Sequence, residues 1–222
     1  MQSLPKSRIK IICFTGIDGS GKTTHATLLA ETMKQKGIKC KYVRCRFEHF
    51  FTKPLMLLSR ALFLSGKDMF DNYTDFSVAK KKLLKNNFLS RIYKYLILFD
   101  YFLQTFFKIN IPLIFNVKII IDRYVYDTII TDIAVYLGYS DERIKKIFKT
   151  CFHFFPVPNL TFLIDIPEEI AYQRKDDTPS IEYLKERRNI YLNMGKEYKM
   201  VILDGSKKLE DLQCEIGKRV FQ

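Results

Sequence analysis

The fold of this chain is decided by the stretch Phe14-Thr15-Gly16-Ile17-Asp18-Gly19-Ser20-Gly21-Lys22-Thr23-Thr24. This stretch fits the pattern G-x-x-x-x-G-K-[ST], whose fixed positions are held by Gly16, Gly21, Lys22 and Thr23. An apolar run with the character of a buried strand precedes it at residues 9–14, and apolar residues at helical spacing follow it to Met33. The order strand, glycine loop, helix is the context in which this pattern binds phosphates.

The chemistry of such a loop is anion binding. Glycines let backbone N–H groups point into the loop, and the helix N-terminus adds the positive end of its dipole. We expect Lys22 to reach the β- and γ-phosphates of ATP and the Thr23 hydroxyl to ligate Mg²⁺. The expected nucleotide-binding residues of the loop are Gly16, Asp18, Gly19, Ser20, Gly21, Lys22, Thr23 and Thr24. The alternative is a glycine-rich turn that matches by chance, which the flanking strand and helix disfavour.

Composition sets broad limits on the class of protein. The 222 residues are most simply one domain, residues 1–222, with 47% hydrophobic and 27% charged residues. Thirty-seven Lys and Arg against 24 Asp and Glu give a net charge of +13, which favours an anionic partner or only a well-solvated surface. The basic residues are spread along the chain and no nucleic-acid motif occurs, which argues against nucleic acid as the partner.

Cysteine usage and hydropathy predict the compartment. The five cysteines are scattered without a C-x-x-C pair, so we expect reduced thiols in a reducing compartment. Residues 1–8 lack the features of a signal peptide, and charges and Pro112 interrupt the apolar region from Tyr93 to Ile121. The expectation is a soluble cytoplasmic protein with no membrane partner.

Strands and helices alternate along the chain. We predict strands at 9–14, 39–47, 117–122, 159–165 and 200–204, and helices at 22–36, 55–64, 76–108, 126–137, 141–152, 181–196 and 209–219. A further helix begins at Pro167, the helical segment 76–108 has a possible break near Asn86, and residues 67–75 are predicted to be a loop. This alternation predicts a three-layer α/β/α P-loop NTPase fold, with a five-stranded parallel sheet and helices on both faces.

Asp122-Arg123-Tyr124 follows the third predicted strand. Ligands of open α/β sheets sit at the carboxyl ends of the strands, where an Asp can hold Mg²⁺ beside phosphates. Arg123 can bridge phosphates with its planar donors. The alternative is a helix cap with a surface ion pair, and it is disfavoured once the phosphate loop is taken into account.

Five segments resemble the thymidylate kinase family of nucleoside monophosphate kinases. They are Gly16 to Thr24, Asp122-Arg123-Tyr124, Leu160 to Glu169, Tyr183 to Tyr191, and Val201 to Ser206. The resemblance is firm at the two ends of the chain and thin between about residues 47 and 110. It implies ATP- and Mg²⁺-dependent phosphoryl transfer to a nucleoside monophosphate, most simply dTMP to dTDP, and it allows a homodimer.

The resemblance also implies roles for single residues. Asp18 would approach the sugar of the acceptor, although a loop carboxylate can also cap a local N–H. Arg46, or else Arg44, would contact the acceptor phosphate, although an exposed strand charge explains both equally well. Arg188 matches an arginine of the family, and Ser206 lies in the expected adenine loop. Phe99 could stack on the acceptor base, but an aromatic residue at helical spacing is more typical of a core.

Catalysis of this kind needs positive charge around the transferred phosphoryl group. Some members carry an arginine in the phosphate loop where this chain has Gly19, so the charge should come from Arg123 and from a lid at about 174–180. The candidates on and after the lid are Arg174, Lys175, Arg187 and Arg188, with Arg174 as the first choice. The alternative is a solvated basic face.

Two departures from the family affect the acceptor. The Arg-Glu-Pro-Gly-Gly-Thr segment of many members is replaced by residues 46–51, and the long helix keeps Asp100 but lacks the arginine that usually follows. A P-loop kinase of another small acceptor, either a nucleoside or a non-nucleotide metabolite, is therefore the alternative function. A nucleotide-binding module associated with nucleic acid is a third hypothesis, motivated by the net charge.

Overall fold

The computed structural model describes residues 9–47, 53, 73–175 and 177–221. Its described part contains one sheet of five parallel strands, and the predicted α/β fold is confirmed. The strands are β1 (Ile11–Thr15), β2 (Cys40–Arg44), β3 (Lys118–Asp122), β4 (Leu160–Asp165) and β5 (Val201–Asp204).

The strand order β2-β3-β1-β4-β5 places β1 at the centre of the sheet. All five residues of β1 are buried, as expected for a central parallel strand covered on both faces. Phe14 of β1 pairs in register with Asp122 of β3 and with Phe162 of β4. The chain leaves β1 for β2 on one side and later crosses to β4 on the other, so the topological switch point lies beside β1.

Helices cover both faces of the sheet. Among the described residues, the first three complete helices are α1 (Lys22–Gln35), α2 (Tyr73–Leu83) and α3 (Asn87–Ile114). Helix α4 begins with an α-helical turn at Val125–Asp127, continues as a π-helix over Thr128–Ala134 and ends with Val135–Leu137. The remaining helices are α5 (Asp141–Cys151), α6 (Glu168–Gln173), α7 (Ile181–Glu197) and α8 (Leu209–Phe221).

Alternate residues of each strand point to opposite faces of the sheet, and a separate hydrophobic core lies on each face. Ile12 and Phe14 point to the core under α1 and α8, whereas Ile11 and Cys13 point to the core that contains α3, α4, α5 and α7. This period of two is the strand geometry that the sequence pattern predicted.

The ends of the helices differ in places from those that the sequence predicts. The predicted break in the long helix is confirmed, because the Asn86 side chain caps α3 by accepting from the N–H groups of Phe88 and Leu89. The sequence predicts that this helix ends at residue 108, before Pro112, but α3 continues to Ile114, since a proline in the last turn removes only one hydrogen bond. The loop predicted up to residue 75 is already helical from Tyr73, which is buried. The helix predicted at 55–64 lies outside the described residues.

Helix α3 is unusually apolar. Within the described residues it is the one helix long and apolar enough to cross a membrane, with a mean hydropathy of 1.3 and 33% of the relevant window buried. The core helix of a soluble protein passes the same test, so length and composition alone do not assign it to a membrane. One side of α3 packs on β2 and β3.

Two helical glycines give a matched test of packing. A Cβ on Gly195 of α7 would lie 2.5 Å from Leu163 Cδ2 in the core, whereas a Cβ on Gly217 of α8 would meet only Phe221 at 3.8 Å. We expect Gly195→Ala to destabilise the fold by about 1–3 kcal/mol through overpacking. Gly217→Ala should stabilise it by about 0.5–1 kcal/mol, because alanine is the better helix former. Chemical denaturation measures both, and equal effects would contradict the close approach of α7 to β4.

Candidate active site

The phosphate loop joins β1 to α1 and lies against the backbone of its neighbours. Gly19 has a φ of +80°, and a Cβ there would lie 2.2 Å from the carbonyl oxygen of Ala171 on α6. Gly16 has a φ of +138°, and its Cβ would lie 2.5 Å from the carbonyl oxygen of Ile164 on β4. Glycine is required at both positions, because φ is positive and because a Cβ would clash with a neighbouring carbonyl oxygen.

Lys22, the first residue of α1, is buried and points back into the loop. Its ammonium donates to the carbonyl oxygen of Ile17 and to Ser20 Oγ, the latter at 3.4 Å. Burial, followed by the nearby charge of Arg123, lowers the pKa of Lys22 to about 7. An added anion in the loop would reverse this effect and favour the charged form.

A cleft of about 510 Å³ opens beside the loop. Six lysines and arginines contribute to its lining, and no Asp or Glu is among the described lining residues. The six cations are Lys22, Arg44, Arg123, Arg174, Lys175 and Lys207. Low-dielectric walls with a single sign of charge concentrate the electrostatic field, so the cleft is suited to a polyanion such as a nucleotide triphosphate.

Arg123 and Asp18 form a buried ion pair at the floor of this cleft. Arg123 Nη2 donates to Asp18 Oδ1, while Lys175 Nζ lies 3.6 Å from the same oxygen. Burial alone would raise the pKa of Asp18, but the charges of Arg123, Lys22 and Lys175 hold that pKa well below its usual range. Arg123 has a positive φ of 65°, a strained conformation for a residue with a side chain and one that clusters at functional sites.

Asp122 supplies a carboxylate next to the start of α1. Thr23 Oγ1 donates to Asp122 Oδ2 at 2.7 Å, and the Tyr42 hydroxyl donates to the same oxygen at 2.9 Å. The other oxygen, Oδ1, is buried and has no hydrogen-bond partner among the described residues. An orphaned carboxylate oxygen beside a hydroxyl is the donor chemistry that fits Mg²⁺, which keeps several waters and needs few protein ligands.

Sequence reasoning missed Asp127, a buried carboxylate under the site. Its Oδ2 accepts from Thr15 Oγ1 and from the Tyr124 N–H, both at 2.9 Å, and its Oδ1 accepts from the Tyr191 hydroxyl at 2.9 Å. These bonds tie the end of β1, the turn that carries Arg123, and helix α7 to one side chain. An acid three residues after an N-cap position was a local signal for part of this arrangement.

The profile of the thymidylate kinase family matches residues 77–216, more than half of the chain.

This chain belongs to the thymidylate kinase family.

Several relatives in the family align with nearly the whole of this chain. The probable thymidylate kinase 1 of Saccharolobus solfataricus is 30% identical over 203 residues, which cover 89% of each chain. The probable thymidylate kinase of Archaeoglobus fulgidus is 26% identical over 94% of this chain and 93% of its own length. The thymidylate kinase of Fervidobacterium nodosum is also 26% identical, over 93% and 96%. The resemblance stated from the sequence motifs is therefore confirmed.

Several of the site residues predicted from the sequence lie together in the cleft. The loop residues Gly19 to Thr24 line it together with Arg123 and with Arg174 and Lys175 of the predicted lid. Arg174 Nη1 donates to the carbonyl oxygen of Gly205 at 3.0 Å, so this arginine closes the cleft on the side of the β5–α8 turn. Ser206 itself bonds back to Asp204 within this turn, while Gly205 and Lys207 on either side line the cleft.

Other predicted residues lie elsewhere. Arg188 uses its guanidinium to bind Asp165 at 2.8 and 3.0 Å and Glu168 at 2.6 Å, so it joins α7 to β4 and α6 and is absent from the cleft lining. Phe99 is 60% exposed on the outer side of α3, and the structure does not bring it to the phosphate loop. Arg46 is exposed after β2, whereas Arg44, its alternative, lines the cleft.

Arg187, another candidate for the catalytic positive charge, is buried and makes its hydrogen bonds inside the protein. It donates to the Tyr73 hydroxyl, to the Tyr183 carbonyl oxygen and to the Thr131 carbonyl oxygen at 2.9–3.2 Å. Its guanidinium also stacks on the Tyr183 ring at 3.6 Å. Tyr183 in turn donates to Asp18 Oδ2 at 3.4 Å, so Arg187 supports the site through its neighbour.

The three bonds to Asp127 predict a large effect of its removal. Asp127→Ala leaves buried donors from Thr15, Tyr124 and Tyr191 unsatisfied, and we expect a loss of about 3 kcal/mol or more of unfolding free energy. The exposed Asp211 on α8 provides the control, and Asp211→Ala should cost less than about 1 kcal/mol. Urea denaturation followed by circular dichroism measures both. Similar losses would mean that Asp127 does not hold these elements together.

Proposed function

We propose that this chain transfers the γ-phosphoryl group of ATP to thymidine monophosphate and so supplies thymidine diphosphate for nucleotide biosynthesis. One domain in the cytoplasm would carry the whole reaction. The observation that carries the proposal is the cleft of six cations beside the phosphate loop, in a chain of the thymidylate kinase family. A kinase of another small acceptor is not favoured by these features.

The donor triphosphate would lie along the phosphate loop. Backbone N–H groups between Gly16 and Thr24 and the N-terminus of α1 would hold the phosphates. Lys22 would exchange its bond to the Ile17 carbonyl oxygen for the β- and γ-phosphates. The turn at Gly205, Ser206 and Lys207, which Arg174 closes, would hold the base end of the donor.

Thr23 and Asp122 are the residues that would hold Mg²⁺. When bound, this ion supplies positive charge between the β- and γ-phosphates. The chain itself holds the two ligands in place, because Tyr42 and Thr23 both donate to Asp122 Oδ2 and leave Oδ1 available.

The phosphoryl group would cross between donor and acceptor over Arg123. Negative charge spreads over its equatorial oxygens in the transition state, and the buried Lys22 and Arg123, with the partly exposed Lys175, would supply positive charge at that point. Asp18 remains ionised because these cations surround it, and it would accept a hydrogen bond from the acceptor sugar while it holds the Arg123 side chain in position. The lid from Arg174 onward would exclude water, which otherwise competes as an acceptor.

An acceptor panel tests the proposed reaction. We expect ATP consumption to depend on added thymidine monophosphate, measured by coupled ADP release across the common monophosphates, nucleosides and ATP alone. Lys22→Ala should lower turnover by at least about 10²–10³-fold, because it removes the buried ammonium that would stabilise the transferred phosphoryl group. Lys34→Ala, an exposed lysine on the same helix, is the control. Turnover with a different acceptor, or normal turnover of Lys22→Ala, would refute the assignment.

The depressed pKa of Lys22 predicts a pH-dependent ATP affinity. At pH values well below 7, the Lys22 ammonium is charged in both the free and the ATP-bound protein, so its contribution to ATP affinity does not change with pH. Above pH 7, Lys22 is largely neutral in the free protein and must take up a proton when ATP binds. We therefore expect affinity to fall between pH 7.5 and 9, by up to about tenfold per unit.

Calorimetry in two buffers of different ionisation enthalpy measures this proton uptake directly. Lys22→Met keeps the length of the side chain without its charge and should abolish the uptake. The same uptake in both proteins would assign the proton to another group.

A further inference from the structure

His25 is a buried side chain beside the phosphate loop with no role in the proposed phosphoryl transfer. It lies in the first turn of α1, where its backbone N–H donates to the Gly21 carbonyl oxygen at 3.1 Å. Only 4% of the residue is exposed, and it contributes to the lining of the cleft of six cations. A buried imidazole normally has a hydrogen-bond partner for each ring nitrogen, so the partners of Nδ1 and Nε2 indicate what this side chain can do.

Gln213 of α8 holds the nitrogen Nδ1 of His25. Its amide nitrogen Nε2 lies 2.8 Å from His25 Nδ1 and 3.3 Å from the backbone carbonyl oxygen of the same histidine. Because a carbonyl oxygen can only accept, the atom of Gln213 that faces it must be the NH₂ group and not the amide oxygen. The amide therefore donates to Nδ1 as well, and Nδ1 carries no proton. The ring is neutral, with its one N–H on Nε2.

The edge of the ring that carries this N–H faces the phosphate loop. A Cβ on Gly21 would lie 3.5 Å from His25 Cδ2 and 3.7 Å from His25 Nε2. The hydrogen bonds of His25 within the described residues use Nδ1 and the backbone, and they leave Nε2 available. The cleft thus contains one fixed, uncharged donor next to the glycine that begins α1.

The position of His25 indicates which part of a donor nucleotide this N–H would meet. The backbone of a phosphate loop surrounds the α- and β-phosphates, and Lys22 would reach the β- and γ-phosphates. The turn at Gly205 to Lys207 lies at the proposed base end, and α8, which carries Gln213, follows that turn. His25 lies between the two, with Nε2 on the side of Gly21, and the α-phosphate is the anionic group closest to this point.

We infer that His25 binds an α-phosphate oxygen of the donor nucleotide through Nε2–H, and that Gln213 holds the imidazole in the tautomer that makes this possible. The inference rests on the proposed function, because it assigns one more contact of the same donor site. A neutral donor suits this place, since it binds an anionic oxygen without adding a seventh positive charge to the cleft.

Two substitutions of His25 separate this contact from a structural link between α1 and α8. The amide of His25→Asn lies near the place of Nδ1, so it keeps the bond to Gln213 and loses the donor at Nε2. The longer His25→Gln keeps a neutral N–H near the place of Nε2. We expect calorimetric titration with ADP to show a loss of affinity of at least about tenfold for His25→Asn and of less than about threefold for His25→Gln. The exposed His153→Asn is the control and should bind ADP like the wild type.

The outcomes of this titration separate the two proposals. Absence of ADP binding by the wild-type protein would overturn both the proposed function and this inference. Normal ADP binding by folded His25→Asn, established by circular dichroism, would overturn this inference alone. A larger loss for His25→Gln than for His25→Asn would mean that the bond to Gln213 matters for structure and the N–H on Nε2 does not.

ADP with one α-phosphate oxygen replaced by sulfur tests which group of the nucleotide is bound. Sulfur is a weak acceptor, so one of the two diastereomers should bind the wild type more weakly than ADP, and His25→Asn should not distinguish it from ADP. Equal losses in the wild type and in His25→Asn for both diastereomers would place the contact elsewhere on the nucleotide and overturn the assignment.

Long-range ¹H–¹⁵N correlation spectra test the tautomer directly. We expect a proton on Nε2 and none on Nδ1 of His25, with an Nε2 resonance that shifts when ADP is added. His153 is an internal reference of opposite pattern, because its Nδ1 lies 2.7 Å from the carbonyl oxygen of Lys149 and must carry a proton to bond with it. Gln213→Leu should allow a fraction of His25 to carry its proton on Nδ1. A proton on Nδ1 in the wild-type protein would contradict the inference.

Discussion

The buried ion pair between Arg123 and Asp18 is the interaction on which the active site depends. Six cations line one cleft, and the two buried ones, Lys22 and Arg123, would be destabilised by burial and by each other without a fixed counter-charge. Asp18 provides that charge for Arg123, the residue after β3, and lies close to Lys175 of the predicted lid. The left-handed conformation of Arg123 is maintained by its N–H bond to Phe14 and by the same ion pair.

Asp127 connects this ion pair to the fold. Its carboxylate binds the residue that precedes the phosphate loop, the residue after Arg123, and a tyrosine on α7. It is followed by the π-helical segment Thr128–Ala134, whose Thr131 carbonyl oxygen accepts from Arg187. Single-turn π segments occur often at functional sites, and here the segment faces the helix that follows the lid. One side chain thereby contacts both α7 and the end of the strand that leads into the phosphate loop.

Helix α3 is apolar both on the side that packs in the core and on the side that faces solvent. Its inner side completes the core beneath β2 and β3, and its outer side presents aromatic residues and lysines to solvent. The homodimer implied by the family remains a prediction.

The sequence by itself determined the order of strands and helices, the phosphate loop and the family, because each rests on local periodicity or on a contiguous motif. It also predicted that Lys22, Thr23, Asp122 and Arg123 lie near one another, since the carboxyl ends of parallel strands meet at one edge of a sheet. The tertiary structure alone decided that Arg44 faces the cleft, that Arg188 is bound by Asp165 and Glu168, and that Phe99 faces outward. It alone revealed Asp127 as the link between β1 and α7. The direction of a long side chain depends on partners distant in sequence, and periodicity carries no information about those partners.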